Sequence, residues 1–275
     1  MMERVMELRE IVRIEGHLDV EVVLADDKVL TVKAMAKEGT RVIERILLGR
    51  NYYEVPEITS RLCGVCSVIH KTAAVQAMEN ALSIEIPPDI HAVRELANYG
   101  GHMQSHILHL FFFVMPDQEK ISNVFDLLPS KKDEVIKLVK MKKLANQIIE
   151  RTGGSIVHPV GIIVGGLGKK PSKANINAIK EILRELRLMV LDSIKRFLEI
   201  KPIELYPNNV YLALKDGAGI PILKGHGEST DGVKFFDIDY QNFINLVKED
   251  YSTAPHWVLK DNKIYTVGAI SRLNI

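Results

Sequence analysis

The stretch Arg61–His70, RLCGVCSVIH, holds the two cysteines of the chain, Cys63 and Cys66, with an arginine two residues before the pair and a histidine four residues after it. Two intervening residues cannot make the long-loop staple of a secreted disulfide framework. The spacing points instead to metal-ligand or redox chemistry in a reducing compartment. A helix is expected from about Val65 to Leu82, which puts Cys63 just before its start and Cys66 in its first turn. Free N–H groups and the helix dipole favour negative charge there, and Arg61 adds to this, so both thiols are expected to be ready as thiolates. Gly64 is expected to permit a tight turn that faces both sulfurs to one point, and His70 lies one turn past Cys66 on the same face. On spacing alone three uses stay open. A dithiol redox pair would need a thioredoxin-like strand that TSRLCGVC lacks. Zinc needs four ligands and finds only His70 as a third. Two buried cysteines could also serve as small apolar residues.

Around this motif the pattern is mostly helical. Residues 11–24 and 28–36 alternate apolar and polar about Asp26-Asp27, which predicts an antiparallel hairpin. Thr40 is expected to cap a short helix running to Leu48 that Gly49 ends. Beyond the cysteine helix, Pro87-Pro88 breaks the pattern. A second long helix is expected from Asp89 to Val114, closed by Pro116-Asp117. A third starts near Ser130 and Asp133, with Val135, Leu138, Val139, Leu144 and Ile148 on one stripe, and stops at Gly153-Gly154. His158 to Pro171 is expected to be loop, and a fourth helix follows from Ser172 to Ile200. Past Pro202 the pattern weakens to short strands and turns punctuated by glycine. The fold class is therefore α+β, mostly α, a small β element on a core of long helices, and residues 1–275 form a single domain with no Ser-, Gly- or Pro-rich linker.

Composition narrows the function. The chain has 275 residues, and 36 Lys and Arg against 35 Asp and Glu give a formal net charge of +1. Nothing in that balance pulls toward nucleic acid or an acidic membrane surface. The longest apolar run, Ile107 to Met115, is interrupted by His109 and falls short of the roughly 20 residues a membrane span needs. Acids and bases from the first residues leave no apolar signal core, so a cytoplasmic protein is expected. The last residues, IYTVGAISRLNI, stop on apolar Ile275, where a frayed polar tail is the commoner ending. The expectation is a chain cut or split in mid-structure, incomplete at its C-terminus.

R-x-C-G-x-C-x-x-x-H resembles the signature of the N-terminal metal-binding segment in nickel-iron hydrogenase large subunits. Further matches follow in order along the chain. VRIEGHLDVEVVL, residues 12–24, resembles the family's R-I/V-E-G-H strand. GTRVIERILLGR, residues 39–50, resembles its glycine-to-glutamate helix. QSHILHLFFF, residues 104–113, and HPVGIIVGGLGKKP, residues 158–171, are similar to later family segments, and YTVGAISRLN, residues 265–274, resembles V-G-P-L-A-R with Ala269 in place of proline. LLGRNYYEVPEI, residues 47–58, looks most like the cytoplasmic F420-reducing, F420-non-reducing and sulfhydrogenase groups of archaea and some bacteria.

The resemblance implies roles. Cys63 would be a terminal nickel ligand and Cys66 would bridge nickel and iron, the iron carrying cyanide and carbon monoxide; soft thiolates suit such metals. His70 would hydrogen-bond the bridging sulfur, and Arg61 would help position the site. Glu15 would relay protons, since splitting dihydrogen releases a proton that needs an acceptor within hydrogen-bond reach; on its own sequence it reads as a solvent-facing strand residue. Glu44 would bind magnesium or a similar hard cation, although between Arg41 and Arg45 it also suits a surface ion pair. His106 and His109 are read as packing against or hydrogen-bonding to the site's surroundings, and Gly165 and Gly166 as allowing close backbone approach. Implied partners are an iron-sulfur small subunit, electron-acceptor subunits and nickel-insertion maturation factors.

One part of the pattern is missing. The family's second cysteine pair lies in a D-P-C-x-x-C segment, and this sequence has no third cysteine. A C-terminal half or a separate chain carrying that pair is therefore implied. The alternatives are a non-catalytic scaffold that kept the fold, and a dithiol redox protein with a reversible Cys63–Cys66 disulfide.

Overall fold

The computed structural model describes residues 3–26, 28–39, 41–200, 210–217, 219–236, 244–254, 256–259 and 261–275. Asp27 of the expected turn, the expected cap Thr40, and Pro202 lie outside the described residues. The chain divides into two compact units, Met1–Arg45 with Glu204–Ile275, and Ile46–Ile203.

In the first unit, β1 (Glu3–Leu8), β2 (Leu18–Ala25) and β3 (Lys28–Ala36) form an antiparallel sheet in that order. β2 and β3 make the expected hairpin. β1 is an addition: its charged residues hid a strand whose Val5, Met6 and Leu8 pair with Val23, Val22 and Val20. Glu7 and Glu21 face each other across β1 and β2, and Lys33 of β3 closes on Glu21 at 2.6 Å, which relieves the like-charge pairing. The strand expected from residue 11 starts only at Leu18. Arg13 (φ +67°) and Gly16 (φ +100°) adopt backbone that an extended strand cannot contain. Glu15 therefore lies in an exposed bend rather than on a strand.

The same unit holds a sheet of order β11 (Tyr265–Thr266), β6 (Val210–Lys215), β7 (His226–Ser229) and β8 (Lys234–Phe235). It also holds the hairpin of β9 (Ile244–Val247) and β10 (His256–Leu259), and a short helix over Ala269–Asn274. Thr253 Oγ1 donates to the Ala36 carbonyl at 2.9 Å and the Ala36 amide donates to Ser252 Oγ at 3.2 Å, which joins the end of β3 to this later segment. On β7, Glu228 accepts from His226 and Lys215 and pairs with Lys234 at 3.4 Å. The hydrogen bonds from His226 and the two lysines hold its carboxyl down at about 2, against an ordinary 4.5.

The second unit is helical. α1 (Val42–Leu47) leads into it and precedes Gly49, whose φ of +77° makes it the stop the sequence anticipates. α2 (Val55–Thr59) runs into a 3-10 turn at Ser60–Leu62, and α3 (Ser67–Leu82) follows the cysteines. α4 (Pro88–Ile107) passes into a π-helical turn, Leu108–Val114, and then α5 (Met115–Glu119). The helix does not stop at Pro116 as expected. That residue occupies the first turn of α5, where a proline's missing N–H costs little. Ile107, Phe111 and Met115 are all buried at a spacing of four, which suits the wider turn of a π segment.

α6 (Leu128–Gly153) and α7 (Lys173–Ser193) complete the bundle, with Ser172 Oγ accepting from the Asn175 amide as the α7 cap. α8 (Lys195–Leu198) follows α7 directly. The buried stripe of α6 runs through Val135, Leu138, Met141, Leu144, Ala145 and Ile148. Val139, expected on that stripe, is 43% exposed because it lies about 100° round the helix from Leu138. Residues 158–171, expected as loop, carry a small hairpin of β4 (Ile162–Ile163) and β5 (Gly166–Leu167) turning at Gly165, φ +83°. No helix among the described residues is long and apolar enough to cross a membrane.

One polar device fastens this hairpin to the bundle. Arg94 of α4 is fully buried and donates to both carboxylate oxygens of buried Glu79 of α3, at 2.8 and 2.7 Å. It also donates to the carbonyls of Ile163 and Gly166 at 2.9 and 3.0 Å, and the Gly165 amide donates back to Glu79 at 2.8 Å. Bidentate geometry of this kind makes a buried pair tolerable.

Truncating one partner, as in Arg94→Met, should lower unfolding free energy by about 3–5 kcal/mol by urea denaturation, while the double change with Glu79→Leu should recover a large part of the loss. Glu228 gives a pH signature. Its folded pKa is lowered to about 2 from 4.5, so its stabilisation is present above pH 4.5 and lost as pH falls toward 2. Glu228→Gln should flatten that acid limb in a pH series of thermal melts.

Candidate metal centre

Cys63 follows the 3-10 turn in an extended conformation (φ −147°, ψ 132°), and Cys66 stands at the cap position of α3. The helix thus begins at Ser67, two residues later than expected. The Cys66 carbonyl accepts from the amides of Ile69 and His70 at 3.0 and 3.2 Å and so opens the helical ladder. The two sulfurs are joined as a disulfide with Cα atoms 5.5 Å apart, and the Cys66 amide donates to Cys63 Sγ at 3.0 Å. Reduced, they stand for two thiolates. The ligand atoms of Cys63, Cys66 and His70 all lie within 4.8 Å of one another, Cys63 buried and the other two half-buried. Two soft sulfurs and an imidazole make a partial coordination sphere, a donor set suited to nickel, iron or zinc.

Gly64 plays a smaller part than expected. It is not left-handed, and a Cβ there would meet nothing within 4 Å. Close backbone approach lies elsewhere. A Cβ on Gly101 of α4 would come within 2.5 Å of Val68 Cγ1 on α3, two residues past Cys66. Gly165 and Gly166 have nothing within 4 Å of such a Cβ, so Gly165 serves its positive φ rather than packing.

Arg61 is exposed and engaged with Glu57 rather than with the sulfurs. Its guanidinium donates to the Glu57 carbonyl at 2.5 Å and lies 3.8 Å from the Glu57 carboxylate. Glu57 in turn pairs with Lys71, whose side chain is buried. Behind the cysteine loop sits His158, with Nδ1 2.8 Å from the Ser60 carbonyl and its backbone amide donating to Ser67 Oγ at 3.1 Å. Sequence reasoning misses Glu57, Lys71 and His158, although Lys71 leaves a signal. It shares with Val68, Thr72, Val75 and Glu79 the three- and four-residue spacing of a buried face, where charged residues are rare. His106 and His109, expected to pack near the site, are both exposed on their helix face.

Glu15 and Glu44 belong to the first unit. Glu44 is exposed and accepts from Arg41 at 2.7 and 2.9 Å, which holds its carboxyl below the ordinary range. An exposed pair of this kind is weak and easily exchanged.

Residues 41–136 match the family model described as nickel-dependent hydrogenase. The chain is 30% identical over 98% of its length to the alpha subunit of sulfhydrogenase 2 from Pyrococcus furiosus. It is 28% identical over 98% of its length to an F420-non-reducing hydrogenase chain of Methanothermobacter thermautotrophicus. It spans 63% and 62% of the lengths of these relatives. Among solved structures, 98% of the chain superposes on an NAD+-reducing nickel-iron hydrogenase in its H2-reduced state with a TM-score of 0.84 at 26% identity, covering 66% of that chain.

Because Val68 is packed on Gly101, Gly101→Ala should shift α3 and destabilise the chain by about 1–3 kcal/mol, read from a urea midpoint. Gly64→Ala, with open space at its Cβ, should leave that midpoint nearly unchanged.

Proposed function

We propose that this chain, which is similar to nickel-dependent hydrogenase large subunits, furnishes the N-terminal half of a metal cradle for heterolytic cleavage and formation of dihydrogen. The observation that carries this reading is the convergence of two cysteine sulfurs and a histidine nitrogen within 4.8 Å at the start of α3. When bound, a nickel-iron centre, its iron bearing cyanide and carbon monoxide, would supply the cleavage of the H–H bond itself. The chain's own residues do the rest. Cys63 and Cys66, as thiolates, hold the metals, stabilised by the free amides at the helix start. His70 donates to the Cys66 sulfur and fixes its orientation. Arg61, held by Glu57, helps position the site. The carboxylate of Glu15 accepts the released proton and passes it outward, and Glu44 offers oxygen to a hard cation such as magnesium once freed from Arg41.

Two thiolates are half of the four-sulfur set the family uses. A second cysteine pair from outside these 275 residues completes the site in this reading. The remaining partners are an iron-sulfur small subunit that carries the clusters, electron-acceptor subunits and nickel-insertion factors, assembled in the cytoplasm. A reversible dithiol is the second reading, favoured by the Cys63–Cys66 bond.

Co-expression with the adjoining reading frames and the maturation factors, followed by metal analysis of the purified complex, tests the proposal. Nickel and iron near one each per complex, both lost in Cys63→Ser and Cys66→Ser, is the expected outcome. A complex that stays metal-free while Cys63 and Cys66 cycle between dithiol and disulfide would favour the second reading instead.

A further inference from the structure

We propose that His158 is a positioning residue that sets how the two cysteine sulfurs face each other, by fastening both ends of the loop that carries them. The proposal rests on the reading of Cys63 and Cys66 as a pair acting on one atom. Ser60 stands three residues before Cys63, and Ser67 directly follows Cys66. Both serines are buried, at 0% and 2% exposure. His158 reaches each of them: Nδ1 lies 2.8 Å from the Ser60 carbonyl oxygen, and the backbone amide donates to Ser67 Oγ at 3.1 Å. A carbonyl oxygen can only accept, so the proton of this bond sits on Nδ1.

The anchor is itself held. His158 has φ +52°, an uncommon conformation for a residue with a Cβ that persists only when its surroundings impose it. Those surroundings are the end of α6. Pro159 is buried, a Cβ on Gly153 would stand 2.7 Å from Pro159 Cβ, and the Gly161 amide donates to the Gly153 carbonyl at 2.8 Å. Within the loop the Cys66 amide donates to Cys63 Sγ at 3.0 Å. A distant segment, more than 90 residues along the chain, adds a hold from outside at both ends.

The shape of the side chain gives a specific test. Asparagine places its amide nitrogen where Nδ1 lies and tolerates left-handed backbone. Glutamine places its nitrogen one atom farther out, near Nε2. In the reduced full-length chain, phenylarsine oxide bonds both thiols, forming two As–S bonds with loss of one water, and so reports sulfur spacing without any metal. His158→Ala and His158→Gln should weaken arsenical binding about tenfold, as for loss of one ordinary hydrogen bond, and His158→Asn should restore most of it. Ile148→Val, a core truncation away from the loop, should lower the melting temperature yet leave arsenical affinity unchanged. Native-like arsenical affinity in His158→Ala, or equal rescue by asparagine and glutamine, overturns the clamp. Cobalt(II) titration of the native chain, followed by sulfur-to-cobalt charge-transfer absorption, separates the two readings. Absence of that band with the arsenical pattern intact removes the metal cradle and leaves the clamp, whereas a strong band with no effect of His158→Ala removes the clamp alone.

Discussion

A guanidinium sealed from water carries an energetic demand that its surroundings must meet, and in the helical unit Arg94 is that group. Unpaired, it would cost several kcal/mol; here Glu79 and two hairpin carbonyls engage both of its terminal nitrogens. Meeting the demand fixes three elements at once, because Glu79 belongs to α3, Arg94 to α4 and the carbonyls to the β4–β5 hairpin. α3 is also the helix that starts at the cysteines. The orientation of the cysteine end is thus set partly by an ion pair three to four turns farther along the same helix.

The cysteine motif is held from two sides by contacts of different character. Apolar packing acts on α3 at Val68, seated on a glycine of α4 where no larger residue fits. Polar contacts act on the loop itself, through Ser60, Ser67 and His158. Glu57 joins the two ranges of polarity, since it meets exposed Arg61 on one side and buried Lys71 on the other. Side chains mounted on a short loop gain precision from such support, because a free loop would lose it to backbone motion.

Much of this is legible in the residues. The cysteine spacing, the long helices, the stop at Gly49, the cap at Ser172 and the β2–β3 hairpin depend on local chemistry that a sequence displays directly. What stays hidden depends on pairing across distance. β1 reads as a charged segment because its strand character comes from Val20, Val22 and Val23 of its neighbour. The late start of β2 follows from two left-handed residues, one of them an arginine, where a strand pattern carries no warning. Val139 reads as core because an apolar residue near helical spacing is a plausible core member, and only the true phase of the helix excludes it. At the site, the triad of Cys63, Cys66 and His70 lies within one short motif, whereas His158 joins from another part of the chain, and its place at the head of HPVGIIVGGLGKKP does not say what it touches.

The π turn at Leu108–Val114 changes what length variation can do to this molecule. A widened turn is a helix that has absorbed extra chain without breaking, and it lets Ile107, Phe111 and Met115 stack on one side at an even interval of four. Losing a single residue there would let the backbone relax into ordinary α geometry with its hydrogen bonding intact. The flanks would keep nearly the same facing, because the widened turn is what holds the extra residue. A shorter relative could therefore keep α5 on its present face and repack only the residues within the turn.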